Sequence, residues 1–153
     1  MRALLISLAL LGAVMATQTA DAVTGQVVKV LPFLMDQQGR IAVSPSLFDR
    51  DAYQALLRNG TNAISGMRFD ILWTATQAPA EKFKLVLELR GVDTNGTPKL
   101  KTFETNAVPG RFRQWTYLSL VGGDYKNFGS VVAWRATLWD DRQLLNEQKS
   151  FLW

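Results

Sequence analysis

The amino-acid sequence predicts a mainly β protein: an antiparallel β-sandwich of about seven strands with one amphipathic α-helix packed against it. Three observations support this prediction. From Met67 onward, short segments alternate between apolar and polar residues, glycine, proline and asparagine separate these segments, and only residues 46–60 have apolar residues at helical spacing. Many short strands separated by turn residues favour a sandwich.

The strands are predicted from the alternation itself. Residues 26–35 are expected to form the first strand, with Pro32 at an edge or a bend. Further strands are expected over residues 67–74, 82–92, 99–105 and 114–120, followed by a C-terminal hairpin. Asn95-Gly96 is typical of a type I′ hairpin turn, and Gly122-Gly123-Asp124 is interpreted as a break in the chain.

One helix is predicted over residues 46–59, inserted after the first strand. Ser46 and Asp49 indicate its N-terminus, and Gly60 is expected to be its C-cap. Its apolar residues recur at helical spacing and are expected to pack on a sheet, where they could cover one face of the C-terminal hairpin. They are Phe48, Ala52, Ala55 and Leu56.

The C-terminal hairpin is predicted over residues 128–153, with its turn at residues 140–142. Both of its faces are apolar, so the hairpin is expected to lie inside a layered domain. In the expected register three pairs lie opposite each other: Trp139 and Gln143, Arg135 and Glu147, Val131 and Phe151.

The first 22 residues have the pattern of a secretory signal peptide. Arg2 supplies a positive charge, an apolar run covers residues 3–16, and Ala20-Asp21-Ala22 offers a cleavage site. The run is shorter than the roughly 18 to 20 residues that span a bilayer. We therefore expect export, cleavage before Val23, no membrane span afterwards, and one domain over residues 23–153. The alternative is an uncleaved membrane anchor.

Two absent residue types exclude several function classes. The chain contains no cysteine and no histidine. Disulfides, thiolate chemistry, Ser-His-Asp catalysis and ordinary zinc or copper sites are therefore excluded, and no cofactor is predicted. An exported domain without disulfides suits a bacterial periplasmic or extracellular protein. The net charge of +4 is scattered along the chain, which does not indicate nucleic-acid binding.

Two features carry a resemblance to known proteins. Trp73 lies on an early core strand, and Tyr125 precedes the long penultimate strand. With these residues the chain resembles an immunoglobulin-like or fibronectin type III-like sandwich, although no cysteine pair flanks the tryptophan. The segments AWR, LW and SFLW near the C-terminus also resemble the ends of small uncharacterised exported bacterial proteins, which implies no activity.

Aromatic residues and strand edges are the candidate binding features. Aromatic side chains could line a face of the sandwich and stack on sugar rings or an extended peptide, although aromatic residues more often lie in the core. These residues are Trp115, Tyr117, Trp139 and Trp153. An edge beside the first or the last strand could pair with a strand of a partner, unless Pro32, Lys29 or Lys149 blocks it.

The carboxylates are weaker candidates. Asp140-Asp141 could contribute to a Ca²⁺ site, but the spacing indicates a turn. Asp49 with Asp51, or Glu88 with Glu104, could in principle form an acid–base pair.

The sequence therefore predicts a non-catalytic binding or assembly module of the bacterial envelope that contacts an unknown protein or glycan through a strand edge or an aromatic face. A carbohydrate-binding module using Trp115, Tyr117 and Trp139 is the first alternative. A carboxylate-dependent hydrolase is the second.

Overall fold

A computed structural model describes residues 23–60, 63–76, 83–141 and 143–153. These residues form seven strands in two antiparallel sheets, with two helices, so the predicted mainly β class is confirmed. The predicted signal peptide, residues 1–22, and Arg142 lie outside the described residues. The elements in order are β1 (Gly25–Asp36), α1 (Leu47–Asn59), β2 (Ile64–Ala75), β3 (Phe83–Val92), β4 (Pro98–Ala107), β5 (Gln114–Val121), α2 (Gly122–Phe128), β6 (Ser130–Asp140) and β7 (Gln143–Lys149).

The two sheets enclose one hydrophobic core. The strand order is β1-β2-β5 in the first sheet and β4-β3-β6-β7 in the second. Alternate residues of each strand point inward, and the inward residues of both sheets belong to one cluster. The three-stranded sheet contributes Val27, Val30, Phe69, Ile71, Trp73 and Leu120, and the four-stranded sheet contributes Phe83, Leu85, Leu87, Leu89, Ala136 and Leu138.

Helix α1 begins and ends where the sequence predicts, but the prediction of its buried face was wrong. The Ser46 hydroxyl accepts the Asp49 N–H, and the Gly60 N–H donates to the carbonyl oxygens of Leu56 and Leu57. All four residues of the predicted apolar face are exposed, and Phe48 is 82% exposed. The helix buries Gln54 and Leu57 instead and packs on β1 rather than on the hairpin, because polar contacts fix its orientation.

The predicted register of the C-terminal hairpin was also wrong. Asp140 lies opposite Gln143, and an irregularity between Leu138 and Trp139 shifts the remaining pairs, so that Arg135 faces Lys149. β7 then ends, and the Ser150 N–H donates to the Trp134 carbonyl oxygen. The chain turns there, which leaves the side chain of Phe151 fully exposed instead of opposite Val131.

The other two turn predictions also need correction. The β3–β4 turn is not type I′, because that turn needs a positive φ at both Asn95 and Gly96, and of these two residues only Gly96 has one (φ +80°). The Asp93 carboxylate stabilises the turn by accepting the N–H groups of Asn95 and Thr97. Residues 122–124 begin the short helix α2 rather than a break. Burial of Phe128 in the core holds α2 in place despite two glycines in its first turn.

Candidate functional site

Two side chains close part of the free edge of β1. The Val27 N–H donates to Asn146 Oδ1 at 3.0 Å, and the Leu34 N–H donates to Gln54 Oε1 at 2.8 Å. Asn146 comes from β7 and Gln54 from α1. Two of the N–H groups that a partner strand would need are therefore already bonded, by different residues from those the sequence suggested.

Charged residues protect the edges formed by β4 and β7. Lys101 of β4 lies opposite Leu89, whose side chain points into the core, so this lysine also points inward. It forms an ion pair with Asp124 at 2.8 Å. In β7, Lys149 forms an ion pair with Glu147 at 3.2 Å. Lysines and inward-pointing charges on an edge strand hinder the pairing of a further strand.

β5 has none of these protections. Its eight residues, QWTYLSLV, include no charged residue and no proline, unlike every other described strand. It pairs with β2 in unbroken register from Gly66↔Val121 to Trp73↔Gln114. Its other edge pairs with no strand among the described residues. A regular, uncharged edge of this kind is a template for another strand.

The outward side of β5 is aromatic and exposed. Trp115 is 42% exposed, Tyr117 57% and Val121 46%, and these three residues point the same way. Phe112, just before β5, is 73% exposed. We call Phe112, Trp115, Tyr117 and Val121 the edge patch.

Contacts with β2 fix β5 on both of its sides. On the outer side, the Arg68 guanidinium lies 5.1 Å from the centre of the Tyr117 ring and makes two hydrogen bonds to Asp70, of 2.7 and 2.9 Å. On the inner side, the buried Trp73 Nε1 donates to Thr116 Oγ1 at 2.8 Å. The edge is therefore ordered before a partner arrives, which lowers the entropic cost of binding.

The four aromatic residues that the sequence singled out do not share a face. Trp115 and Tyr117 lie on the outer side of the three-stranded sheet. Trp139 lies on the outer side of the four-stranded sheet, and the Trp153 ring lies against Arg90 and Arg135, at 4.0 and 4.9 Å. The edges of β1 and β7 were predicted as candidates from the sequence and that of β5 was not, although the lack of charge over residues 114–121 indicates it.

The four carboxylates considered as acid–base pairs all have partners. Glu88 pairs with Arg135 at 2.7 Å and Glu104 with Lys84 at 3.3 Å. Asp49 accepts the Ser44 hydroxyl, and Asp51 pairs with Arg50. Within the described ranges, no three metal-binding side chains form a cluster and no helix is long and apolar enough to cross a membrane.

Compared with known proteins, the chain matches no family model, no curated protein and no solved structure. The candidate site is therefore defined by its geometry, which combines an unprotected edge strand with an exposed aromatic patch.

Proposed function

We propose that this chain is an exported, non-catalytic binding or assembly module, and that it accepts an extended strand of a protein partner along β5. The observation that carries the proposal is the contrast among the edge strands. Side chains or charges occupy parts of the edges of β1, β4 and β7, and of the edge strands that the structure describes only β5 presents an uncharged edge in regular register.

The chemistry of such an interface follows from strand geometry. In an antiparallel pair, alternate residues use both the N–H and the C=O group, so the eight residues of β5 offer about eight main-chain hydrogen bonds to a partner. These bonds give affinity for an extended chain of almost any sequence. Contacts of Trp115 and Tyr117 with alternate side chains of the partner would give specificity.

The strand order supports an immunoglobulin-like or fibronectin type III-like assignment. An immunoglobulin constant-type sandwich pairs its first, second, fifth and fourth strands in one sheet and its third, sixth and seventh in the other. The other six strands pair with one another in the same way in this chain, and the difference is that β4 pairs with β3 instead of β5. Moving the fourth strand away leaves the outer edge of β5 open.

Sequence features support export and the lack of catalysis. Residues 1–22 have the composition of a signal peptide, which favours a partner in the periplasm or outside a bacterial cell. Without cysteine and histidine, the commonest nucleophile–base pairs cannot form.

Photo-cross-linking tests this function. A photoreactive phenylalanine analogue at Tyr117 would be compared with the same analogue at Leu100, which is 79% exposed on β4. In the producing cell, we expect one cross-linked protein from position 117 and none from position 100. Equal yields from the two positions, or no product from position 117, would contradict the proposal.

A charge variant gives a matched control. Trp115→Lys adds to β5 the protection that β4 already has, whereas Leu100→Lys adds the same charge to β4. We expect Trp115→Lys to abolish the cross-link from position 117 and Leu100→Lys to preserve it.

A further inference from the structure

A second surface, on the outer side of the four-stranded sheet, has the features of a ligand site. Val86 and Thr137 lie opposite each other there and are only 8% and 3% exposed. Helix α1 packs on β1 and α2 on β2 and β5, so neither helix covers this face. Long side chains on the same face line an open groove of about 430 Å³ above the pair. We call it the outer groove.

Trp139 forms a flat, fixed wall of the outer groove. Its Nε1 donates to Thr137 Oγ1 at 2.8 Å, and Thr137 points to the same side of β6 two residues earlier. This bond fixes the orientation of the indole, which lines the groove. A ring that is already oriented loses little entropy when a ligand stacks on it.

Two ion pairs supply hydrogen-bonding groups around the indole. Arg135 contacts Glu88 at 2.7 Å, and Lys84 contacts Glu104 at 3.3 Å. All four of these side chains line the groove, each about a third to a half exposed. Charges of both signs therefore stand side by side. The carboxylates would repel a phosphate group, and the basic groups would repel a polycation. Neutral hydroxyl groups can form hydrogen bonds with groups of either charge.

The aromatic surface continues beyond a single ring. The Trp153 ring lies 4.9 Å from the Arg135 guanidinium. Arg135 precedes Trp139 by four residues, a separation of about 13 Å along a strand. Two indoles with an arginine between them match a ligand longer than one sugar ring.

We propose that the outer groove binds a neutral oligosaccharide, with the apolar face of one pyranose ring stacked on Trp139 and sugar hydroxyls bonded to Arg135, Lys84, Glu88 and Glu104. This site lies on the opposite side of the sandwich from the edge patch and does not depend on strand binding. It also places the sugar-binding alternative of the sequence analysis at Trp139 and away from Trp115 and Tyr117.

Isothermal titration calorimetry tests the site, with cellohexaose and chitohexaose as probes of β-1,4-linked sugars without and with N-acetyl groups. We expect at least one hexasaccharide to bind. We expect Trp139→Ala to weaken binding by roughly tenfold or more through loss of stacking, and Trp139→Phe to weaken it less. Phe48→Ala, which removes an exposed aromatic ring on α1 outside both surfaces, should leave the affinity unchanged.

Two results would overturn the proposal. The first is no heat of binding from either hexasaccharide at millimolar concentration. The second is an unchanged affinity in Trp139→Ala, with circular dichroism and thermal unfolding showing that the variant is folded. Neither result bears on the cross-link at Tyr117, so the two proposals can fail separately.

Discussion

The side-chain amide of Gln54 bonds to the main chain of Leu34 as a neighbouring β-strand would. Its Oε1 accepts the Leu34 N–H at 2.8 Å, and its Nε2 donates to the Leu34 carbonyl oxygen at 2.9 Å and to the Ile41 carbonyl oxygen at 2.8 Å. Gln54 is only 3% exposed. One glutamine therefore joins α1 to the sheet and closes part of the free edge of β1.

Replacing this glutamine should be costly. Gln54→Met keeps a side chain of similar size but leaves three main-chain groups without their partner. Because each unsatisfied buried polar group costs about 1 to 3 kcal/mol, we expect a loss of about 3 kcal/mol in the free energy of unfolding, measured with urea. Gln143→Met, at an exposed position of β7, is the control and should change stability by less than about 0.5 kcal/mol. Equal stabilities of the two variants would contradict this role.

Asp36 fixes the end of β1 to the following loop and helix. Burial alone would raise the pKa of this carboxyl, but hydrogen bonds from the Tyr53 hydroxyl, from the backbone and side chain of Arg40 and from the Gln38 backbone outweigh it. The pKa is held well below its usual value of 3.8. The ionised carboxylate therefore stabilises the folded protein above about pH 4, and this contribution is lost as the pH falls toward the folded-state pKa.

The measurement for Asp36 is urea unfolding at pH 7 and pH 3. We expect Asp36→Asn to be less stable than the natural protein by about 2 kcal/mol at pH 7, and by clearly less at pH 3. Asp51→Asn removes a carboxylate whose side chain is 70% exposed, and it should have little effect at either pH. A gap between Asp36→Asn and the natural protein that does not change with pH would show that the charge of Asp36 contributes nothing.

Gly91 permits the close approach of α2 to β3. A Cβ at this position would overlap the Phe128 ring and lie 2.7 Å from the Ser130 carbonyl oxygen. We expect Gly91→Ala to lower the thermal midpoint and to cost about 3 kcal/mol. Gly123→Ala is the control, because a Cβ there meets nothing within 4 Å and alanine favours the helix. Similar midpoints for the two variants would show that the packing around Gly91 adjusts without cost.

The strands and the ends of α1 could be predicted because local chemistry determines them. Alternation identifies β3 from its own residues, and Ser46 and Gly60 mark the ends of α1. The buried face of α1 could not be predicted from hydrophobic spacing, because the helix is oriented by the amide of Gln54. This leaves Phe48 and Leu56 exposed.

The candidate sites were harder to predict because they depend on which strands become neighbours. The alternation within β5 places Trp115 and Tyr117 on one side, but it does not say whether that side is the core. Nor does it show that β5 is an edge strand of its sheet, or that Trp139 lies on the outer side of the other sheet. The irregularity between Leu138 and Trp139 also changes the register of the C-terminal hairpin. Nothing in the local sequence indicates it, so this register could not be predicted.

Hydrogen exchange of individual backbone amides, followed by NMR, tests the central claim that β5 is the open edge of the molecule. We expect alternate amides of β5 to exchange rapidly, because those facing away from β2 have no acceptor in the part of the chain that the structure describes. We expect the amides of Val27 and Leu34 at the edge of β1 to exchange slowly. Slow exchange of every β5 amide, or rapid exchange at Val27 and Leu34, would contradict the claim.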